Sequence, residues 1–184
     1  ERERAMNINA VAAGILAEEA NRLHAMLIHY STDYVFDGTK GMPYTEDDAP
    51  NPLNVYGQSK LAGEQAVGQA GGAYLILRTS WVYSLRGDNF VTKTLSWAGR
   101  QDTLRIVSDQ VGSPTWARML AEVSAAALAR SFPLPWDYFL ENSGVYHLGG
   151  TGTVSRFEFA RVILELDPKR EDQTMKRLEP ALTA

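Results

Sequence analysis

The chain alternates between short apolar runs and longer stretches in which apolar residues recur at helical spacing. Apolar residues from Ile8 to Leu23 follow such spacing and predict a helix over about 5–24, and the apolar run 25–30 predicts a buried parallel strand. The same reasoning predicts the later elements: helices over 55–69, 89–100 and 115–130, and strands over 73–79, 103–108 and 145–148. Repeated alternation of strand and helix is typical of an α/β fold with a parallel sheet.

Glycine, proline and short polar residues mark the connections between these elements. The predicted loops and turns are 37–54, 84–88, 109–115 and 131–144. Ser155, with Glu158 three residues later, predicts the capped start of a last helix. Four apolar residues are expected to form the buried face of that helix: Phe159, Val162, Ile163 and Leu166.

Composition and charge argue against several classes of protein. The 184 residues are 45% hydrophobic and carry a formal net charge of −4, so we expect no nucleic-acid or anionic-membrane surface. The chain has no cysteine, which excludes disulfides and thiolate metal sites. No apolar run reaches membrane-spanning length and the charged N-terminus does not resemble a signal peptide, so the expected location is the cytoplasm.

Tyr56 and Lys60 are the candidate catalytic pair. They lie one turn apart on one face of the helix predicted over 55–69. An ammonium group close to a phenol favours the phenolate, so Tyr56 is a candidate proton donor to a carbonyl, with Lys60 as its electrostatic partner. The hydroxyl of Thr32, just after the strand predicted over 25–30, could hold the same oxygen; a bond to the local backbone is the alternative. The Tyr–Lys spacing alone is a weak signal, because most such pairs are ordinary helix surface.

Several motifs in the correct order make the signal more specific. They are STDYVFDG at 31–38, PYTE at 43–46, PLNVYGQSKLAGE at 52–64, LRTSWVY at 77–83 and DQVGSPT at 109–115. By these motifs the chain resembles the extended short-chain dehydrogenase/reductases, and among them most the family of dTDP-4-dehydrorhamnose reductases. The resemblance covers nearly the whole chain and thins at both ends.

The resemblance implies a Rossmann-like, doubly wound parallel sheet with a small C-terminal substrate-binding portion. Residues 1–108 would be the later half of the NAD(P)-binding domain, with the catalytic residues, and residues 109–184 would include part of the substrate-binding region. The family's first βαβ half carries a glycine-rich turn that cradles the cofactor pyrophosphate, and the sequence contains no such turn. We therefore expect an N-terminally truncated piece of a longer protein, which could lack cofactor binding altogether and should show weak activity or none.

The implied activity is reduction of the C4 ketone of dTDP-4-dehydro-L-rhamnose to dTDP-L-rhamnose, with NADPH or NADH as cofactor. A nicotinamide is required because no side chain can deliver hydride. The resemblance makes Thr32, Tyr56 and Lys60 the catalytic triad. It also implies that Ser31 contacts the cofactor together with Tyr56 and Lys60. Asn9 lies where members of the superfamily often carry an asparagine that supports the active-site backbone.

The resemblance also implies a set of substrate contacts. Tyr34 and Trp81 would approach the deoxysugar, although simple core packing is the alternative for Trp81. Residues near the nucleotide would be Asn89, Phe90, Gln110 and Thr115. Arg78 could meet the diphosphate, but it follows three buried aliphatic residues, and a structural ion pair is the alternative.

Other interpretations stay open. One is another NAD(P)-dependent nucleotide-sugar epimerase, dehydratase or reductase, and another is a non-catalytic regulatory subunit of the methionine adenosyltransferase type. The oligomeric state is not predicted, a homodimer being one option. The acidic residues at 46–48 are interpreted as a solvated cluster rather than a metal site, and no metal is predicted. His29 is interpreted as a core histidine rather than a catalytic one.

Overall fold

A computed structural model describes residues 1–183, and contacts between residues divide the chain into two compact units. The first unit consists of Glu1–Thr79 and Glu122–Leu148. The second consists of Ser80–Ala121 and of the chain from Gly149 onward. These units are defined by packing, whereas the predicted division after residue 108 concerns function and stays a prediction.

Helices and strands alternate along the chain as the sequence predicts. The helices are α1 (Arg2–Met6), α2 (Ala12–Arg22), α3 (Val55–Ala70), α4 (Phe90–Ala98), α5 (Ala117–Ser131), α6 (Pro135–Glu141) and α7 (Arg156–Glu165). The strands are β1 (Leu27–Thr32), β2 (Tyr74–Thr79), β3 (Val82–Tyr83), β4 (Thr103–Val107), β5 (Val111–Gly112), β6 (Thr115–Trp116), β7 (Gly144–His147), β8 (Val154–Ser155) and β9 (Arg177–Ala181). A π-helical segment, Asn7–Val11, joins α1 to α2.

The first unit contains a parallel sheet in the strand order β1-β2-β7. The helix α3 connects β1 to β2, which makes the strand–helix–strand unit that the alternating pattern predicts. The register pairs Ser31 with Arg78 and Thr32 with Thr79, so β1 and β2 end level with each other. Polar side chains at these carboxyl ends therefore share one edge of the sheet.

The helix α3 packs closely because glycine occupies its points of contact. A Cβ atom at Gly63 would overlap the carbonyl oxygen of Asn9 in the π-helical segment. A Cβ atom at Gly57 would overlap the carbonyl oxygen of Tyr34. Both overlaps are with backbone atoms, which cannot move aside as a flexible side chain does. Glycine thus fixes how near α3 approaches its neighbours.

The apolar residues that reveal the first helix in the sequence are not the ones that pack inside the first unit. The side chains of Ile8 and Ile15 are 59% and 55% exposed. Small residues face the interior instead: Ala13 and Ala17 form a buried cluster with Val67 of α3 and with Ile76 of β2. Small side chains are needed there because the two helices approach so closely.

The second unit is built around another buried cluster. The strand β4 pairs with β9 in parallel, and α4 and α7 pack against β4. The residues of this cluster are Ala98, Leu104, Ile106, Ala160 and Leu164. Two short pairs complete the strands of this unit: β3 with β6, in parallel, and β5 with β8, antiparallel.

The predicted capping box at the start of α7 is confirmed: Ser155 and Glu158 exchange side-chain-to-backbone hydrogen bonds. The predicted buried face of this helix is partly wrong. Ile163 is buried, but Val162 is exposed and Leu166 is 76% exposed. The helix turns Ala160, Ile163 and Leu164 inward, because the small Ala160 allows close contact with the cluster around β4. Phe159 is half-buried and packs against other aromatic rings.

The loop predicted over 131–144 is also partly wrong, because it contains α6. Pro135 suggested a loop, but proline is well suited to the first turn of a helix, where a backbone N–H has no partner in any case. Phe139 of this helix is fully buried. Within residues 1–183, no helix combines the length and the apolar character needed to cross a membrane.

Candidate active site

Thr32 is the last residue of β1 and is buried. Its hydroxyl donates to a carboxylate oxygen of Asp33, at 3.1 Å, and accepts a hydrogen bond from the backbone N–H of Tyr34, at 3.2 Å. The second bond caps the short 3₁₀-helix Asp33–Val35. The alternative weighed from the sequence, a strand-end hydroxyl bonded to backbone, is thus present in the structure.

Tyr56 and Tyr34 offer two phenol groups close to this strand end. Tyr56 lies in the first turn of α3, which Asn54 caps by accepting a hydrogen bond from Gly57 N–H at 2.8 Å. The rings of Tyr34 and Tyr56 meet edge to face, with their centroids 5.8 Å apart. Tyr34 and Tyr56 are 44% and 49% exposed, so both rings can be reached from solvent.

Lys60 extends toward the end of β1. Its ammonium donates to the carbonyl oxygen of Tyr30 at 2.6 Å and lies 3.5 Å from Nε2 of His29. Burial lowers the pKa of Lys60, and the negative charge of Glu64 opposes that shift. Burial, and then the charge of Lys60, lowers the pKa of His29 to about 4, so the ring is neutral at pH 7. His29 is therefore a half-buried neighbour of the lysine, and its interpretation as a core histidine rather than a catalytic one stays a prediction.

A chain of side chains ties the first helical segment to α3. The amide of Asn9 donates to the hydroxyl of Ser59 at 2.9 Å, and this hydroxyl donates to the carbonyl oxygen of Tyr56 at 2.9 Å. Asn9 therefore supports the backbone that carries the candidate catalytic tyrosine. It does so through Ser59, which is fully buried in α3.

Ser31 is buried and does not point its hydroxyl to solvent. The hydroxyl donates to Glu64 of α3 at 2.5 Å, and Arg78 of β2 forms two further bonds to the same carboxylate. Arg78 is thus in a structural ion pair, the alternative that the sequence left open. Ser31 could contact a cofactor only through its backbone in this arrangement.

The loop between the two tyrosines is organised by Asp37. Its carboxylate accepts hydrogen bonds from the hydroxyl of Tyr44, at 2.7 Å, and from backbone or side-chain groups of Thr39 and Asn51. The Tyr44 bond, and then the others, holds the pKa of Asp37 far below its usual range. Tyr44 also stacks on Phe36 with ring centroids 4.3 Å apart. These contacts fix the conformation of the loop, which connects Thr32 to Tyr56 along the chain.

In the second unit, Trp81 belongs to a group of aromatic side chains. Trp81 and Phe90 both stack on Phe159, with centroid distances of 6.4 Å and 5.6 Å. The guanidinium of Arg156 lies 3.6 Å above the Trp81 ring and 4.9 Å from that of Phe90. Such contacts between a cation and an aromatic face are favourable. The pattern of the sequence did not point to Arg156.

The polar residues predicted near the nucleotide are held by their own unit. Asn89 caps α4 and also donates to the carbonyl oxygen of Ser84 at 2.8 Å. Thr115 is fully buried, and its hydroxyl donates to Ser113 O and accepts from Gly150 N–H. Gln110 is exposed and donates to the hydroxyl of Thr183. Of these three side chains, that of Gln110 is the one a ligand reaches without breaking a buried contact.

A family model described as the RmlD substrate binding domain matches residues 1–184. The chain belongs to this family. A dTDP-4-dehydrorhamnose reductase of Burkholderia thailandensis is 45% identical over 157 residues, which are 85% of this chain and 52% of that protein. One of Escherichia coli is 42% identical over 165 residues, 90% of this chain and 54% of that protein. The chain thus spans about half the length of the curated relatives it matches.

Solved structures agree with this membership of the RmlD family. The dTDP-4-dehydrorhamnose reductase of Bacillus anthracis, crystallised in complex with NADP, has a TM-score of 0.85 and 35% identity, covering 100% of this chain and 60% of that one. A dTDP-4-dehydrorhamnose reductase of Clostridium acetobutylicum, described as an RfbD orthologue, has a TM-score of 0.86 and 35% identity, covering 99% of this chain and 59% of that one. The predicted α/β, Rossmann-like fold and the predicted resemblance are confirmed.

Within this RmlD-family chain, the structure brings together one set of predicted residues in each unit. The first unit joins Thr32, Tyr34, Tyr56 and Lys60 around the carboxyl end of β1, and the second joins Trp81 and Phe90 around Phe159. The roles of all of them stay predictions. In the part of the chain described, the structure holds no group of three or more histidines or carboxylates placed to bind a metal ion.

Besides Arg156, three residues with a clear place in this arrangement were missed from the sequence, and each of the three had a weak signal there. Glu64 is a carboxylate at a buried position of α3, one turn after Lys60. Gly63 and Gly57 are glycines inside a helix, where alanine is favoured unless space is lacking. An ionisable residue at a buried position of a helix, or a glycine inside a helix, can therefore indicate a residue with a structural or functional role.

Proposed function

We propose that this chain supplies the catalytic and sugar-binding residues of an NADPH-dependent reductase that converts dTDP-4-dehydro-L-rhamnose to dTDP-L-rhamnose. The observation that carries the proposal is the half-exposed phenol of Tyr56, at the edge of the sheet where Thr32 ends β1 and where Lys60 reaches Tyr30. The names of the relatives support the same reaction and substrate.

The residues present fit the nicotinamide end of the cofactor. Lys60 provides an ammonium and Tyr56 a hydroxyl one helical turn away, and both are hydrogen-bond donors suited to the hydroxyls of a ribose. The NADP bound by the Bacillus anthracis relative supports NADPH as the partner. When bound, NADPH supplies the hydride that reduces the ketone.

Each residue of the triad then has one task. Tyr56 donates the proton that the oxygen of the former ketone requires, and its exposure lets a sugar approach within hydrogen-bond reach. Lys60 stabilises the phenolate that this transfer leaves, as a neighbouring opposite charge does. Thr32 holds the same oxygen, for which its O–H must turn away from Asp33.

The sugar and nucleotide contacts form the less detailed part of the proposal. Tyr34 offers an exposed ring beside Tyr56, and Trp81 and Phe90 offer aromatic faces suited to a sugar or a base. Gln110 offers an exposed amide for the edge of thymine. Two further contacts, by Asn89 and Thr115, rest on resemblance alone, because their side chains already bond within the protein.

The proposal is tested with a chimera in which this chain replaces the matched segment of the Escherichia coli reductase. Oxidation of NADPH is followed by absorbance with dTDP-4-dehydro-L-rhamnose as substrate. We expect turnover, and a loss of about 10²-fold or more in kcat on Tyr56→Phe with little change in KM, since a general acid contributes about 10²–10⁴-fold. Tyr138→Phe, which removes a phenol on α6, is the matched control.

A folded chimera that binds NADPH but does not reduce the ketone would contradict the proposal, and an unchanged rate in Tyr56→Phe would remove that residue from its role. If the chimera does not fold, binding of dTDP to the 184-residue chain is followed by NMR chemical shifts. Saturable binding supports the nucleotide-sugar assignment, and unchanged shifts at millimolar dTDP contradict it.

A further inference from the structure

The helix α3 carries a carboxylate, Glu64, that is 5% exposed. Carboxylates are rarely buried to this degree unless they are paired. Glu64 follows Lys60 by one helical turn, so both residues lie on the same side of α3.

Glu64 joins α3 to two neighbouring strands at once. Oε1 accepts hydrogen bonds from Ser31 Oγ, at 2.5 Å, and from Arg78 Nε, at 2.9 Å. Oε2 accepts from Nη2 of Arg78 at 2.6 Å. The contact between Arg78 and Glu64 is bidentate, which fixes orientation as well as distance. Ser31 and Arg78 are partners in the register of β1 and β2, so one carboxylate holds α3 to both strands.

A buried ion pair of this kind is a poor source of stability. Removing two charged groups from water costs several kcal/mol per ion, and apolar pairs of similar volume are often as stable or more stable. The same helix already packs through Val67 against Ala13 and Ala17. Position, rather than net stability, is therefore the property that the Glu64–Arg78 pair supplies.

We propose that Glu64 is a positioning residue for Lys60: it fixes α3 against the ends of β1 and β2 and so places the half-buried ammonium at the Tyr30 carbonyl. The catalytic meaning of this assignment rests on the proposed function, whereas the placement and charge of Lys60 can be measured without turnover.

The groups around Lys60 agree with this assignment. On β1, His29 lies 3.5 Å away and is neutral at pH 7, because burial and the lysine itself lower its pKa to about 4. On α3, Glu64 is the charge that favours the ammonium against the effect of burial, and Tyr56 is the other ionisable neighbour one turn away. Arg78 of β2 is held by Glu64. Removing the carboxylate thus leaves burial unopposed.

The test follows the protonation of Lys60 in the 184-residue chain. Reductive methylation with ¹³C-formaldehyde labels the five lysines, and Lys60→Arg identifies the Lys60 signal in an NMR titration. We expect the titration midpoint of Lys60 to fall by about one pH unit in Glu64→Gln, the effect of losing a nearby opposite charge. The exposed ion pair of α7, changed to Arg161→Gln with Glu165→Gln, is the matched control and should leave the midpoint unchanged.

The substitution Glu64→Gln leaves Arg78 as an uncompensated buried charge, which could unfold the chain. A second variant avoids this problem. The double variant Glu64→Gln with Arg78→Gln removes both charges and keeps amide groups that can pair. We expect the Lys60 midpoint to fall in this variant too, but by less than in Glu64→Gln, because loss of the positive charge of Arg78 offsets part of the loss of Glu64. A folded double variant with the wild-type midpoint would overturn the proposal.

Kinetics in the chimera then separate this inference from the proposed function. In an active chimera, the double variant should lose about tenfold or more in kcat with KM nearly unchanged, and its activity should decline at a lower alkaline pH. Unchanged kinetics in an active chimera would also overturn the positioning role. A silent wild-type chimera contradicts the proposed function and leaves the Lys60 titration as the measurement that decides this inference.

Discussion

The contact between Gly63 and Asn9 offers a direct test of how α3 is positioned. In Gly63→Ala the new Cβ overlaps the carbonyl oxygen of Asn9 and comes close to the carbonyl carbon. These are backbone atoms of a helical segment, so the overlap is relieved only if α3 moves away. Gly68 is a matched control in the same helix, because a Cβ there lies 3.6 Å from the hydroxyl of Tyr74, an ordinary contact distance.

The two variants should change the free energy of unfolding in opposite directions. Overpacking a filled site costs about 1–3 kcal/mol, and the rigid backbone at Asn9 favours the upper end. Alanine stabilises a helix by about 1 kcal/mol relative to glycine. Gly63→Ala should therefore lose about 2 kcal/mol of unfolding free energy, whereas Gly68→Ala should gain about 0.5–1 kcal/mol.

Urea unfolding of the 184-residue chain, followed by far-UV circular dichroism, measures both variants against the wild type. With a slope of about 2 kcal/mol per molar urea, the two midpoints should move in opposite directions and differ by roughly 1 M or more. If Gly63→Ala is as stable as Gly68→Ala, then α3 can move away from Asn9 without cost. The glycines of this helix would then not define its position.

Two further predictions concern stability. His29 has its pKa lowered from 6.5 to about 4, so the folded chain binds fewer protons than the unfolded chain between these values, and stability should fall as the pH drops through this window. We compare the free energy of unfolding at pH 7 and at pH 4. Because the ring is partly exposed, we expect the wild type to lose about 1 kcal/mol between these pH values. This loss should be absent from His29→Gln and present in the control His24→Gln. Asn89→Ala removes the cap of α4 and a bond to Ser84 and should cost about 1–2 kcal/mol by urea unfolding, more than Asn142→Ala, whose amide bonds Tyr138 alone; equal effects would contradict the capping role.

The sequence predicts the regular elements of this fold well where local chemistry is unambiguous. The helix α3 starts at Val55 after its cap Asn54 and ends at Ala70, where it is followed by Gly71, whose φ of 66° is easily adopted by glycine. The helix α7 begins with the capping box that the sequence predicts. In these places the residue types that start and stop a helix mark its ends, even where the pattern of apolar residues does not identify its buried face.

The prediction is weaker where packing depends on small residues. In the first helical segment the large apolar residues attract attention, yet Ala13 and Ala17 make the buried contacts and Ile15 stays 55% exposed. The same happens in α7, where Ala160 is buried and Leu166 is exposed. How closely two elements approach is a property of the folded chain, and hydrophobicity along the sequence does not contain it.

Polar site residues raise a related difficulty. A hydroxyl or amide at the end of an element can bind a ligand or satisfy the local backbone, and the residue type is the same in both cases. The structure shows that Thr32 and Asn89 do the second, and that Thr115 is fully buried while doing so. The resemblance to the family identifies these positions as candidate substrate contacts. The structure then shows which internal hydrogen bond each side chain would have to break in order to bind a substrate.

Trp81 illustrates a side chain for which each of the two interpretations made from the sequence, ligand contact and simple packing, has an observation in its favour. Its φ of 44° lies in the left-handed region, which costs roughly 1–3 kcal/mol for such a residue. Space for the indole depends on Gly112, because a Cβ there would come within 2.5 Å of the ring. The strained backbone and a ring that is only half-buried favour a ligand-facing role. The contacts of the indole with Arg156 and Phe159 are packing within the unit and favour the alternative, so the role of Trp81 at the nucleotide-sugar stays a prediction.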